Sequence, residues 1–245
     1  MVPCRFLEWD SEFFGCRIAR VEAPLATKDT LESALHWAVA ERIDCLYLLA
    51  RSDSPETISA VEAEQFGLKD IRITYKRSAT PFSGQLPARE KGIFVRTFCP
   101  TDLETLSALA RTAHRDTRFF SDLRFDREKA ASLYEVWLRK ACSEVAGRVF
   151  VGEIDGTVGG YLTCSVDSAQ RGSIGLVAVS LAHRRVGLGG RLVEAALLWF
   201  RDQRATEVSV VTQGRNVAAQ RLYQAAVFHT HAVELWYHKW LSSPH

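Results

Sequence analysis

The residues best able to bind and transfer a chemical group lie together in the last third of the 245-residue chain. An apolar run typical of a strand ends in Val177 and Val179, and the pattern Arg184-x-x-Gly187-x-Gly189 follows it. Glycines let the backbone approach a ligand closely, because no Cβ atom intervenes. The amphipathic helix that begins there points free N–H groups and the positive end of its dipole at the loop. The pattern therefore predicts an anion site suited to a pyrophosphate.

Two other phosphate-binding loops are excluded by the residues that follow the glycines. A P-loop needs a Lys directly after its last glycine, and no Lys stands there. A dinucleotide-binding loop needs a third glycine where this chain has Leu192, and an acidic residue at the end of the next strand. Glu207 lies at the start of that strand instead. An ordinary strand–turn–helix connection with a glycine-rich turn remains the alternative.

A second group of candidate residues follows about 30 residues later, in the pattern Asn216-x-x-Ala219-x-x-x-Tyr223. Asn216 is a natural helix N-cap, and helical spacing puts these three residues on one face together with Gln220. A phenol on that face could donate a proton; alternatively, Tyr223 is a partly buried packing residue. We expect three other residues to turn toward the core: Ala218, Leu222 and Ala225.

Together the two patterns resemble the acetyl-CoA core of GNAT N-acetyltransferases, over about residues 93–240. The resemblance implies acetyl-CoA as cosubstrate and direct transfer to an amine, with a strand amide near Val177 and Val179 holding the oxyanion. The same strand backbone would pair with the pantetheine arm, which Asn216 and Ala219 would also contact, and Tyr223 would protonate the departing thiolate. The residues implied at the pyrophosphate are Arg184, Val186, Gly187, Leu188, Gly189, Gly190 and Arg191. No metal is implied.

A narrower resemblance covers nearly the whole chain. Residues 9–15 (Trp-Asp-Ser-Glu-Phe-Phe-Gly), the pair Arg118-Phe119 and residues 132–137 resemble the dTDP-fucosamine N-acetyltransferase group. That group acetylates the 4-amino group of a dTDP-linked deoxysugar for surface-polysaccharide synthesis, and it carries a partial GNAT-like domain ahead of the catalytic one. The resemblance implies four acceptor-binding residues: Phe13, Phe14, Arg118 and Phe119.

The segment of residues 115–127 joins arginines to phenylalanines. Arg binds phosphate through paired hydrogen bonds and stacks on aromatic rings, so this segment favours an anionic, nucleotide-linked acceptor. Two alternatives stay open. One is a GNAT enzyme for another amine, such as a protein N-terminus or lysine, a polyamine or an aminoglycoside. The other is a non-catalytic CoA-binding regulatory protein, which loss of Arg184, Gly187 or Tyr223 would have favoured, yet all three are present.

The general base is not identified by any pattern. His114, Glu153 and Asp70 are candidates by residue type only, and a water chain to solvent is an equal alternative. We therefore assign no residue to this role from the sequence.

The order of the strands and helices that position these residues predicts an α/β fold, with a mixed, largely antiparallel sheet flanked by helices. Residues 1–90 are predicted as a small α/β domain that contributes to acceptor binding, and residues 91–245 as the GNAT domain. A linker over residues 78–92 holds two prolines and two glycines. In the first domain we predict strands over 4–9, 17–22, 45–50 and 71–75, helices over 30–43 and 54–67, and an aromatic turn at 9–15. In the second we predict strands over 93–98, 148–154, 158–166, 173–179, 207–212 and 227–240, helices over 102–114, 127–142, 187–202 and from 216, and irregular chain over 115–126.

Composition excludes several other classes of protein. The net charge of +2 comes without a basic stripe, which argues against nucleic-acid binding. Six dispersed cysteines favour a reducing compartment over a disulfide framework, and His229 and His231 lack a third metal ligand. No apolar run approaches the roughly 20 residues that span a bilayer. We therefore expect a cytoplasmic protein with no membrane insertion and a small-molecule amine as partner; a homodimer is left open.

Overall fold

The computed structural model describes residues 4–79, 92–144 and 147–242. The strands are β1 (Cys4–Phe6), β2 (Ile18–Val21), β3 (Cys45–Arg51), β4 (Gly67–Ser78), β5 (Ile93–Thr97), β6 (Gly147–Ile154), β7 (Thr157–Val166), β8 (Arg171–Val179), β9 (Glu207–Gln213) and β10 (His229–Trp240). The helices are α1 (Glu8–Phe14), α2 (Lys28–Ala40), α3 (Pro55–Ala63), α4 (Leu103–Ala113), α5 (Arg118–Ser121), α6 (Arg127–Ser143), α7 (Leu188–Asp202) and α8 (Val217–Ala225). Two short 3₁₀ helices lie at Pro100–Asp102 and Leu181–His183.

These strands form one ten-stranded sheet in the order β1-β2-β3-β10-β4-β9-β8-β7-β6-β5. Only β2–β3 and β8–β9 pair in parallel, and the other seven pairs are antiparallel. Each parallel pair is joined through a helix, α2 for the first and α7 for the second, as a parallel connection requires. The predicted mixed, largely antiparallel sheet with flanking helices is confirmed.

The last strand of each half of the chain lies beside strands of the other half. β4 closes the N-terminal half and pairs with β9, while β10 closes the chain and lies between β3 and β4. Strands from before and after the predicted boundary at residue 90 therefore hydrogen-bond to each other within one sheet. The division into two domains stays a prediction, and residues 80–91 of the predicted linker lie outside the described residues.

The two faces of the sheet carry different helices because successive strand residues point to opposite sides. Leu162 packs into a cluster with α7 and α8, whereas its neighbour Tyr161 packs into a second cluster with α4 and α6. A third cluster joins α2 and α3 to β2, β3 and Tyr237. The sheet thus separates one layer with α7 and α8 from another with α1, α4, α5 and α6.

Several local predictions are wrong, most of them in the N-terminal half of the chain. The predicted strand over residues 4–9 ends at Phe6, and the predicted aromatic turn is the helix α1, which Gly15 ends with a φ of +73°. Packing explains α1, because Phe14 is buried against α5 and α6. β4 is also longer than predicted, and the segment predicted as irregular contains the short helix α5.

Candidate active site

The loop before α7 has the backbone that a bound anion needs. Gly187 is the N-cap of α7 and has a φ of +98°, a left-handed conformation that favours glycine. No side chain of the described chain caps this helix end, so its first N–H groups point toward solvent. A Cβ on Gly190 would meet no heavy atom within 4 Å, whereas Leu188 is buried in the core and anchors the turn. At Gly187 and Gly190 the loop therefore presents backbone atoms, without side chains, to solvent.

A groove of about 410 Å³ adjoins this loop and runs between α7 and α8. Gly187, Gly190 and Arg191 line it from α7, and Leu222 and Ala226 line it from α8. Arg191 forms an ion pair with Glu194 at 3.2 Å. The exposed Arg184 donates from Nε to the carbonyl of Val179 at 3.3 Å. Of the predicted pyrophosphate residues, the groove is thus lined by Gly187, Gly190 and Arg191.

The parallel strands β8 and β9 diverge beyond this groove. Their paired register ends at Ile174 and Val210. A bulge follows in β8, where the Leu176 N–H donates to Thr163 Oγ1 at 2.8 Å. Val177 and Val179 continue alongside β7 with no register partner in β9. The β9-facing edge of β8 is thereby available to hydrogen-bond a ligand inserted between the two strands.

Tyr223 is buried, with 4% of its surface exposed, on the inner face of α8. Its ring centroid lies 6.1 Å from that of Tyr75 and 6.0 Å from that of Phe228. Burial raises the pKa of its phenol, which keeps the group protonated at neutral pH. The Asn216 side chain accepts from the Ala219 N–H at 3.1 Å, which confirms the predicted N-cap.

One part of the α8 prediction is wrong. Ala218 and Ala225 were expected to face the core, but both are exposed. The core instead receives Tyr223, with Ala219, Leu222 and Ala226 packed against the same cluster. The large aromatic ring gains more from burial than an alanine methyl does, and this decides how the helix is turned.

Asp70 lies on the other side of the diverging strands. It stands near the start of β4, which pairs with β9 so that Arg72 lies opposite Gln213. Asp70 is therefore just past the carboxyl end of β9. Burial raises its pKa to about 6, although the Ile71 N–H donates to its Oδ1 at 2.9 Å. In the part of the chain that the structure describes, no Lys or Arg forms an ion pair with Asp70.

Arg118, the first residue of α5, lies close to Asp70. Its guanidinium carbon is 4.3 Å from the ring centroids of both Tyr47 and Trp236 and 4.2 Å from that of Phe119. Trp236 is the register partner of Asp70 across β10 and β4, and the charge of Arg118 acts to lower the pKa of Asp70. Among the residues described, no carboxylate pairs with this half-buried cation. Cation–π contacts hold it at the site.

The predicted acceptor-binding phenylalanines lie in the aromatic core beneath Arg118. Phe14 and Phe119 are 8% and 4% exposed, and their rings stack at 5.1 Å. Phe13 is half-buried and stacks on Trp9 at 5.1 Å. Phe14 and Phe119 thus support the Arg118 segment from below, and acceptor contact by all three rings stays a prediction.

The structure separates the three candidate bases. Glu153 forms an ion pair with Arg96 at 2.6 Å, inside a cluster that also holds Asp102. The Nε2 atom of His114 is 2.8 Å from the Tyr161 hydroxyl, and burial lowers the His114 pKa to about 4. The side chains of Glu153 and His114 therefore already interact with other residues of the protein. Asp70 alone of the three has a raised pKa and, within the described residues, no ion pair, and it lies just past the carboxyl end of β9.

Sequence reasoning missed Tyr47, Trp236, His238 and Asp122, which surround Arg118. The His238 Nε2 lies 3.2 Å from an Arg118 guanidinium nitrogen, and its Nδ1 lies 2.7 Å from Asp122 Oδ2. These residues come from β3, the position after α5, and β10, and they are separated by up to about 190 positions. No local pattern could have joined them, because the pairing of β3 with β10 and the packing of the α5 segment on the sheet bring them together.

Comparison with known proteins agrees with this geometry. Residues 109–227 match the acetyltransferase (GNAT) family. This part of the chain is a GNAT acetyltransferase domain, so the protein is an acetyl-CoA-dependent N-acetyltransferase. The matched region contains both the glycine loop and Tyr223, and the family resemblance carried by the two patterns is confirmed.

Particular relatives cover different shares of the chain. The dTDP-fucosamine acetyltransferase of Escherichia coli O6:H1 is 25% identical over 241 residues, which are 95% of this chain and 96% of that protein. The spore coat polysaccharide biosynthesis protein SpsD of Bacillus subtilis is 27% identical over 141 residues, 58% of this chain. The match spans about half of SpsD's length, 48%.

Among solved structures, a GCN5-related N-acetyltransferase from Sphaerobacter thermophilus superposes with a TM-score of 0.74 and 16% identity. The superposition covers 99% of this chain and 77% of that one, and it shows that the two share a fold. None of the helices in the described residues is both long and apolar enough to span a membrane.

Proposed function

We propose that this protein acetylates the amino group of a nucleotide-linked amino-deoxy sugar, specifically a dTDP-4-amino-4,6-dideoxyhexose, for surface-polysaccharide synthesis. The observation that carries the proposal is the environment of Arg118. A half-buried guanidinium lies between aromatic rings, without a carboxylate partner in the described chain, beside the buried Asp70. A fixed Arg fork suits a diphosphate, and adjacent rings suit a base or the apolar face of a deoxysugar.

The donor side fits acetyl-CoA. The uncapped N-terminus of α7 offers N–H donors to a pyrophosphate, and Gly190 leaves open a space that a Cβ would fill. In this assignment Arg184 and residues 186–191 hold the pyrophosphate. Val177, Val179, Asn216 and Ala219 border the pantetheine arm. Acetyl-CoA supplies an acetyl group already activated as a thioester.

In this assignment the acceptor amine reaches the thioester at the gap between β8 and β9. We assign Asp70 the role of accepting a proton from the acceptor amine, because its carboxyl group has a pKa of about 6 and is ionised at neutral pH. The free N–H groups of β8 near Val177 hold the negative charge that develops on the acetyl oxygen. Tyr223, protonated on the α8 side, donates a proton to the departing thiolate.

Both halves of the chain contribute to this assignment. Residues 1–90 supply Asp70 and Tyr47 to the acceptor side, and residues 91–245 supply the donor side. The names of the two relatives support the same class of acceptor, since one is a dTDP-fucosamine acetyltransferase and the other a polysaccharide biosynthesis protein.

The test is an acetyl-transfer assay with dTDP-amino sugars beside polyamines, peptides and aminoglycosides. We expect turnover of the dTDP-amino sugars, and turnover confined to the other amines would reject the acceptor class. Arg118→Ala should raise KM for the sugar nucleotide by at least about tenfold, as loss of a charged hydrogen bond does, with KM for acetyl-CoA unchanged. Arg115→Ala is the matched control, because Arg115 is exposed and its guanidinium carbon lies 4.8 Å from the Phe120 ring centroid, away from the rings that surround Arg118.

A further inference from the structure

A buried pair of residues lies directly behind Arg118. Asp122 follows α5 and His238 lies on β10, and each is 2% exposed. Their side chains meet at 2.7 Å, and the Asp122 Oδ2 atom also accepts from Trp240 Nε1 at 2.9 Å. Burying a carboxylate costs free energy that an apolar contact would not. The pair therefore calls for a reason beyond packing.

The hydrogen bonds fix where the His238 proton lies. An Arg118 guanidinium nitrogen is always a donor, so the Nε2 atom of His238, 3.2 Å away, must carry the lone pair. Nδ1 then carries the proton and donates to Asp122. Burial lowers the pKa of His238 to about 4, which agrees with a neutral ring. Burial opposes ionisation of Asp122, yet hydrogen bonds from His238 and Trp240 lower its pKa to about 2.

The contacts lead from Asp122 through His238 to the guanidinium of Arg118. Asp122 sets the tautomer and orientation of His238, and His238 in turn accepts from Arg118. The Tyr47 ring stacks on His238 at 4.4 Å and also faces the guanidinium at 4.3 Å. Arg118 is thus fixed by one directed hydrogen bond as well as by aromatic contacts, which alone leave a planar cation free to rotate.

We propose that Asp122 and His238 are positioning residues, which hold the Arg118 guanidinium in the orientation that binds the acceptor's diphosphate. This inference rests on the proposed function. The pair touches no acceptor and takes part in no proton transfer. Its effect is expected on acceptor affinity alone.

Two substitutions of His238 separate positioning from packing. His238→Gln places an amide oxygen near the Nε2 position, where it can still accept from Arg118. His238→Asn places its amide near the Nδ1 position, where it can donate to Asp122 but cannot reach Arg118. We expect His238→Asn to raise KM for the dTDP-amino sugar by about tenfold or more and His238→Gln by less than about threefold. KM for acetyl-CoA should stay unchanged in both.

Asp122→Asn tests the tautomer. An Asn amide can donate to Nδ1, which moves the ring proton to Nε2 and sets it against Arg118. We expect a rise in acceptor KM like that of His238→Asn, with kcat changed by less than about threefold. Equal acceptor KM in the Asn and Gln variants of His238, or a rise in both substrates' KM together, would overturn the positioning role.

A measurement without acceptor keeps the two proposals apart. NMR of the free protein should show slowly exchanging Arg118 guanidinium protons in the wild type and His238→Gln, and their loss in His238→Asn. If that pattern holds and no sugar nucleotide is acetylated, the proposed acceptor is rejected and the Arg118 positioning stands. If sugar nucleotides are acetylated and the guanidinium signals do not distinguish the variants, the positioning is rejected.

Discussion

Replacing Gly190 by Ala should stabilise the protein and weaken acetyl-CoA binding at once. Gly190 is the third residue of α7, and a Cβ built there meets no heavy atom within 4 Å. Ala is favoured over Gly in a helix by about 1 kcal/mol, and nothing offsets this gain by a clash. For a chain of this size, such a gain raises Tm by about 2–4 °C. Differential scanning calorimetry of the ligand-free variant measures it.

The same methyl group stands in the groove where we assign the pyrophosphate. Gly190 lines that groove, so the methyl keeps a phosphate from approaching the helix N–H groups. Loss of one hydrogen bond to a charged group costs about 1.5–3 kcal/mol. We therefore expect CoA to bind at least about tenfold more weakly, as measured by isothermal titration calorimetry.

Gly156→Ala is the matched control, because it should have the opposite effect on stability and no effect on CoA affinity. Gly156 lies in the turn between β6 and β7 with a φ of +82°, and a Cβ there also meets no atom within 4 Å. The left-handed conformation should cost an Ala about 1–2 kcal/mol, while CoA affinity stays at the wild-type value. Wild-type CoA affinity in Gly190→Ala would refute the assignment of the groove. A similar loss of affinity in both variants would show that the effect of Gly190→Ala is not specific to the groove.

Three further predictions concern the chemistry and the fold. Tyr223→Phe should lower kcat by about 10²-fold or more with little change in either KM; an unchanged kcat in steady-state assays would make Tyr223 a packing residue only. Because burial raises the pKa of Asp70 in the free protein to about 6, kcat/KM should fall as the pH falls through 6, and the Asp70→Asn variant should be slow and lack this limb; a limb that persists in Asp70→Asn assigns it to another group. A fragment of residues 92–245 should stay unfolded by circular dichroism, since β10 and β9 lose their partners β3 and β4; a cooperatively folded fragment would contradict this.

Short-range features of the chain were readable from the sequence. The Ser54 N-cap with Pro55 after it starts α3, and the Asn216 N-cap starts α8, because caps depend on residues only three positions apart. Gly187 begins α7 with the positive φ that its residue type permits. Most strands and helices after residue 93 followed from such local signals, and the two short motifs indicated the family.

Features set by distant residues were not readable. Residues 8–14 form α1 because Phe14 packs on α5 and α6, and α8 is turned by the burial of Tyr223, against the face expected from spacing. No local pattern indicates that β4 pairs with β9, or that β10 lies between β3 and β4. Each outcome depends on the apolar area that the assembled core buries, and a single segment does not contain that information.

The sequence by itself determined the family, the glycine loop and the phenol on α8, because each depends on residue types at fixed short spacing. It supplied Asp70, His114 and Glu153 as equal candidates for the base, and only the tertiary structure separated them. Glu153 forms an ion pair and His114 a buried hydrogen bond, whereas burial raises the pKa of Asp70, which has no ion-pair partner among the residues described. The sequence also identified Arg118 as a candidate acceptor-binding residue. Its orientation by His238, 120 residues away, exists only because β10 crosses the sheet beside β3.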